Sequence, residues 1–270
     1  MLKILDAIRL YFRYLGISMR AQMQYRASFL MMTVGQCAAT GIEFLGIWAL
    51  FARFGSLRGW TLPEVALFYG IINCGFAVAE SLGRGFDIFP ELVKSGDFDR
   101  VLLRPRSTIL QIAGREFQLM RFGRLAQGLA VLIWALLHLK IVWDFARAAL
   151  LCATIGSAAY LFYGLLVLQA TMSFWTVETL EILNTVTYGG TETGQYPLTI
   201  YRPWFRRFFT FVVPIACANY LPVGAILGMA DPLGASTWAQ WSAPAGGFVF
   251  LLISLQIWKV GVRHYRSTGS

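Results

Sequence analysis

The chain has 270 residues, 57% of them hydrophobic and only 14% charged, with a mean hydropathy of +0.59. Soluble domains carry about 25% charged residues, so this balance excludes a soluble globular protein and indicates an integral membrane protein. The net charge of +9 does not point to nucleic acid, because the cations flank apolar runs instead of interleaving with aromatics on a soluble domain. Anionic lipid headgroups and topology signals account for them.

Residues 2–24 set Leu5, Ile8, Phe12, Leu15 and Met19 on one helical stripe, with Lys3, Arg9, Arg13 and Arg20 off it. That pattern predicts a helix within 1–26 lying in the headgroup plane, apolar side down. No secretory signal is expected, since these residues offer no long uncharged core and no small-residue cleavage site. The first span is expected over Ala27–Phe51, interrupted by one acid, Glu43, and the second over Glu64–Glu80, with Asn73 and Cys74 near its middle. Trp48 and Trp60, at the intervening loop, are placed to act as interfacial anchors.

The stretch Arg84–Ser107 is too charged to rest in hydrocarbon, with five cations and four anions. Each Asp or Arg at the bilayer centre costs roughly 2.5–3.5 kcal/mol on insertion scales. The segment therefore stands in water between two spans. Phe86, Ile88, Phe89, Leu92 and Val93 recur at helical spacing, which predicts a short amphipathic helix stopped at Ser95-Gly96. Pro105 keeps Arg104 from continuing a helix. Apolar residues here have no bilayer to cover them, which points to docking of a soluble partner; the alternative is a loop that only joins two helices.

Gln111–Arg124 reads as a helix entering the membrane obliquely and continuing into a third span, Leu125–Leu139. The fourth, Ala148–Met172, carries a small-residue patch at Gly156-Ser157-Ala158-Ala159 suited to close helix packing. Glu178 and Glu181 share a face at a helix end, and Tyr188–Arg207, with its glycines and prolines, reads as a loop ending in a basic helix start. The fifth span is expected over Phe208–Met229, bent or broken by Pro214 and Pro222, and the last over Gly246–Val262. Six spans put both termini on one side. The loops 53–63 and 140–147 hold four of the 23 Lys and Arg residues; the others lie at the N-terminus, in 84–124, in 202–207 and at the C-terminal end, so the positive-inside rule makes those segments cytoplasmic.

Catalytic and nucleotide-binding signatures are missing. There is no phosphate loop of the G-x-x-x-x-G-K-[ST] type, no G-x-G-x-x-G after a strand, no H-E-x-x-H and no Cys/His metal spacing. The four cysteines are expected to be free thiols. Glu43 is either a functional carboxylate or a structural hydrogen-bonding group between helices.

Two stretches carry a resemblance. KSGDFDRVLLRPRS over Lys94–Ser107 is one, and the other comprises YPLTIY at Tyr196–Tyr201, FTFVVP at Phe209–Pro214 and NYLP at Asn219–Pro222. Together with the order of elements, they resemble the permease subunit of type-2 ATP-binding-cassette exporters, a subgroup of largely unassigned substrate. The resemblance implies an all-α polytopic protein, one permease domain over 1–270, with six transmembrane helices and an interfacial helix at the N-terminus. It makes 84–107 a cytoplasmic coupling segment between helices 2 and 3, with Phe86, Phe89, Glu91, Lys94, Asp97 and Arg100 contacting a separate ATPase. ATP and Mg would be bound by that partner, and this chain would hold no cofactor and no catalytic residue. The resemblance also implies a second permease, the same or different, with substrate passing along the first, second and fifth spans. Glu43, Asn73 and Asn219 are the path candidates, and the prolines before the last span suggest a re-entrant hairpin. An ion-gradient-driven secondary transporter is the alternative.

Overall fold

The computed structural model describes residues 2–176 and 180–266, and among these the regular structure is helical throughout. In chain order the helices are α1 (Leu2–Met23), α2 (Arg26–Phe54), α3 (Leu62–Asp87), α4 (Phe89–Lys94), α5 (Phe98–Leu102), α6 (Thr108–Ala113) and α7 (Phe122–His138). They continue with α8 (Phe145–Met172), α9 (Leu180–Gly194), α10 (Pro203–Phe211), α11 (Leu221–Leu227), α12 (Thr237–Ser242) and α13 (Ala245–His264). Among the described residues, five segments are long and apolar enough to cross a membrane by themselves: α2, Leu62–Lys94, Leu119–His138, α8 and α13.

Helix α3 is the axis of the bundle. Thr61 caps it, its backbone N–H and hydroxyl both bonding Glu64 Oε2, with Pro63 in the first turn. From Val65 to Phe76 every residue is buried, because α7, α8, α9 and the stretch 216–220 surround it. Small residues set how closely the partners come. A Cβ on Gly75 would meet Ala158 of α8, and one on Gly247 of α13 would overlap Ser157 of α8. The patch expected at 156–159 thus serves two helices, α3 through Ala158 and α13 through Ser157.

Helix α2 is the opposite case, burying only Thr40, Ile47 and Phe51, while Leu30, Met31, Val34, Ile42 and Leu45 are exposed. Apolar exposure on that scale is what a bilayer or a second membrane subunit covers.

The expected fifth span is corrected. The backbone turns by 82° between α10 and the helix that follows, where Pro214 and Pro222 each lack an N–H and a π-turn over Ala216–Tyr220 takes up the mismatch. Both arms start and end on the side of the 53–63 loop. Before α10, Thr199 accepts from the Trp60 indole at 3.0 Å and from Arg58 at 3.2 Å; after α11, Gly228 lies beside Arg147. The unit is therefore a re-entrant hairpin, its bend at Ile215 resting on Gly190 and Gly194 of α9. Phe174 packs in the Phe89 cluster and Thr199 bonds Trp60 at the opposite side, so α9 lies between the two sides, and Tyr188–Gly194, expected as loop, is helix. The Glu178–Glu181 face lies outside the described residues and side chains.

Three smaller expectations change with it. Arg202, Arg206 and Arg207 belong to the side of loops 53–63 and 140–147, not to that of Arg84–Ser107. Trp60 is buried at the hairpin instead of anchoring in lipid, whereas Trp48 is exposed. Gln111–Arg124 is not one helix. After α6 the chain turns at Gly114-Arg115 and is irregular over 116–118, where side chains of α1 take over its backbone bonding. Ser18 Oγ accepts from Phe117 N at 3.1 Å, Gln22 Oε1 accepts from Leu119 N at 3.1 Å, and Gln22 Nε2 donates to Phe117 O.

Candidate functional site

The segment after α3 is built on its own small core. Helix α4 ends at Ser95-Gly96, where Gly96 has a φ of 73°, and α5 ends two residues before Arg104-Pro105. These short helices hold together through aromatic contacts, not through length. The Phe89 ring meets Phe98 and Trp258, each with centroids 4.9 Å apart and at steep angles, and lies 5.2 Å from Phe174. Trp258 of α13 is fully buried, and its indole donates to Thr108 Oγ1 at 3.1 Å. Tyr265 closes the cluster against Phe98 at 4.9 Å, and burial together with Asp99 pushes its hydroxyl up to about 12. The segment is thereby fastened to the ends of α8 and α13.

This geometry divides the expected contact residues. Phe86 and Phe89 have no exposed surface, because the ends of α8 and α13, rather than a partner, cover the apolar face of the segment. Neither side chain can touch another protein while this core is intact. Glu91, Lys94 and Arg100 are exposed and Asp97 is half-buried, paired with Arg100 at 3.2 Å. Beyond them Leu103, 86% exposed, stands at the tip with Leu102. Sequence reading passed over Leu103 because Val101–Leu103 is one apolar run; only the backbone shows that Val101 turns in and Leu103 turns out.

A second constellation lies at the same end of α3. Glu80, 5% exposed, pairs with Arg121 at 3.2 Å and Arg124 at 3.8 Å, and accepts from the Tyr188 hydroxyl of α9 at 3.3 Å. Arg124 also lies over the Phe76 ring at 4.9 Å. One turn further on, Arg84 pairs with Asp87 and Glu116, and Gln169 of α8 donates to Asp87 at 3.4 Å. Charge at this depth is tolerated because each group is neutralised within the cluster. The network ties α3 to the start of α7, to α8 and to α9.

A family model described as ABC-2 family transporter protein matches residues 37–269. The chain belongs to the ABC-2 transporter family. It is an integral membrane protein, the permease component of an ABC transporter. Neither the curated proteins nor the solved structures contain a match to it.

In this ABC-2 permease, the three path candidates part company. Asn73 and Asn219 are buried and structural in position. Asn73 Nδ2 donates to Tyr69 O at 3.0 Å, and Asn219 Nδ2 donates to Gly194 O at 2.7 Å and Phe68 O at 3.3 Å, joining the hairpin to α9 and α3. Glu43 is exposed on α2, and so is Glu192 on α9, the two lying within electrostatic range of each other and of Arg124. Sequence reading missed Glu192 by taking its stretch for a loop. It missed the role of Glu80 too, although an acid closing one apolar run and two arginines opening another is a signal that such a pairing leaves. Groups of three or more His, Cys, Asp or Glu able to hold a metal ion are absent among the described residues.

Proposed function

We propose that this permease belongs to an ATP-driven exporter of the cytoplasmic (inner) membrane, with both termini cytoplasmic and the energy supplied by a separate ATPase that binds ATP and Mg. One observation carries this reading: a water-exposed charged rim, Glu91, Lys94, Asp97 and Arg100 with Leu103 at its tip, stands on a core shared with the ends of two spans. A force applied to the rim is passed to α8 and α13 through the Phe89–Trp258 contact, as a coupling segment requires. Helix α1 fits an interfacial helix. It docks through Ser18 and Gln22 while Phe12, Ile17, Met19 and Met23 stay exposed for lipid.

The substrate path runs against the exposed side of α2, facing a second permease. Two carboxylates, Glu43 and Glu192, open toward that side from within apolar helices, and lipid is a costly neighbour for either. A water-lined path between two permeases, the same or different, removes that cost.

The test is affinity purification of the chain in mild detergent, with mass spectrometry of what co-purifies. A stoichiometric protein carrying a phosphate loop, lost on Lys94→Glu with Arg100→Glu but kept in the wild type, is the expected result. If the chain purifies alone and transport persists without ATP yet collapses with an ion gradient, it is a secondary transporter and the reading fails.

A further inference from the structure

An unbroken series of polar contacts runs from α1 to Tyr188 of α9. It begins where α1 supplies the bonding of the irregular stretch after α6. Ser18 Oγ accepts from Phe117 N at 3.1 Å and donates to Phe117 O at 3.3 Å, and Gln22 Oε1 accepts from Leu119 N at 3.1 Å. Gln118, between these two, bonds to other elements. Its backbone N–H donates to Ser81 O, next to Glu80 on α3, at 3.4 Å, and its Oε1 accepts from Arg121 Nε at 3.0 Å.

Arg121 uses its whole fork. Besides Nε on Gln118, Nη1 reaches Gln36 Oε1 of α2 at 3.4 Å and Nη2 reaches Glu80 Oε1 at 3.2 Å. The same Glu80 oxygen accepts from the Tyr188 hydroxyl of α9 at 3.3 Å. A guanidinium is planar and rigid, so its three nitrogens cannot be adjusted one at a time. Moving Gln118 therefore tilts the fork and alters the contact with Glu80, on which Tyr188 closes. The 117–119 stretch in turn depends on α1. Phe117 and Leu119 are buried, and a buried N–H left without its acceptor costs stability.

We infer that Ser18 and Gln22 of α1 are positioning residues for α9, acting through Gln118, Arg121 and Glu80. Other side chains of α1 give the relay a use. Arg9, Arg13 and Arg20 are exposed, as are Phe12, Met19 and Met23, so α1 takes its level from the headgroup plane. The state of that lipid surface is thereby passed to α9. This consequence for transport rests on the proposed substrate path beside α9; the relay itself does not.

The experiment is hydrogen–deuterium exchange of the purified full chain in detergent, followed at the peptide over 184–194 without ATP, substrate or a second chain. The relay can thus fail while the exporter reading stands, and the reverse. Ser18→Ala with Gln22→Ala should speed exchange around Tyr188 by at least about fivefold, the lower end of usual coupling between sites. Ser18→Thr keeps the hydroxyl and should leave the wild-type rate. Tyr188→Phe alone should speed the same peptide, and adding the two α1 changes should do little more, because the last link is already cut. Faster exchange confined to α1 and 114–119 overturns the inference, and so do effects that simply add in the triple variant. A uniform rise that includes α8 and α13 overturns it too, as general loosening. If the double variant fails to fold, Ser18→Ala alone is read by the same criteria.

Discussion

The Trp258 indole and the Phe89 ring meet with centroids 4.9 Å apart at 63°, and this contact joins α13, the last span, to α4, the first helix of the charged 84–107 segment. Both side chains are fully buried, so the contact acts within the chain. Phe89→Ala should therefore lower stability by about 3–5 kcal/mol, the usual range for removing a buried aromatic. Lys94→Glu, at an exposed position, should leave the melting temperature unchanged and weaken co-purification of the ATPase. Thermal unfolding in detergent, read beside the pull-down, separates the two; equal melting temperatures for Phe89→Ala and the wild type would show that the aromatic core is not formed.

Glu80 makes a second, sharper case. It is one acid facing Arg121 and Arg124 in a largely buried site, with the Tyr188 hydroxyl as a further donor. Glu80→Gln preserves shape and the tyrosine contact but leaves two buried guanidinium groups uncompensated. Breaking a buried pair from one side typically costs about 3–5 kcal/mol. Arg121→Met in the same chain removes one of the stranded charges, so the double variant should melt above Glu80→Gln alone. A double variant that is worse than either single change would refute the pairing.

At Gly85 the backbone itself is the contact. A Cβ there would overlap the Ile112 carbonyl of α6, a fixed backbone atom that cannot swing aside. Gly85→Ala should push α6 off α3, giving a lower melting temperature and less folded protein in the membrane. Gly156→Ala is the control. Nothing lies within 4 Å of that position, and alanine is the better helix former, so stability should hold or rise slightly.

Much of this was legible in the chain, for definite reasons. Apolar runs marked α2, α3, α7, α8 and α13 because their length matches a bilayer, and Ser95-Gly96 and Pro105 marked the ends of α4 and α5 because glycine and proline restrict the backbone. What periodicity cannot give is the identity of the covering partner. The face carrying Phe86 and Phe89 was correctly read as apolar, yet Trp258, near the far end of the chain, covers it. The re-entrant hairpin escaped for a related reason. Phe208–Met229 has the composition of a span, and only the return of Gly228 to Arg147 shows that it does not cross. Moving that stretch out of the count required α9 to cross, which brought Glu192 from an assumed loop onto the exposed side of the bundle.

Glu43 tests the energy source. If ATP drives the cycle, Glu43→Gln changes only the polarity of an exposed path position, and transport should fall by no more than a few-fold. If a proton moves through this carboxylate, the amide cannot carry it and transport should stop. The reading is sharpest when Glu43→Gln is combined with Glu192→Gln, because the two acids lie within range of each other. Loss of transport in both single variants, with ATPase turnover intact, would sink the ATP-driven account.

Sidedness can be read directly with cysteines. The native thiols Cys37, Cys74, Cys152 and Cys217 are all free, so they are first replaced by alanine or serine, the Cys217 change being checked because it packs on Gly246. Single cysteines then go in at Leu103, Arg207 and Trp238, all exposed. A membrane-impermeant maleimide added to intact cells should label Arg207→Cys and Trp238→Cys, and should label Leu103→Cys only after the membrane is opened. Arg207 decides most. Charge counting alone would place it with the 84–107 segment, whereas the bond between Trp60 and Thr199 holds the start of α10 at the opposite side. Labelling of Arg207→Cys together with Leu103→Cys would mean that the 203–227 unit crosses after all, and that the hairpin, the crossing by α9 and the exposure of Glu192 on the substrate path fall with it.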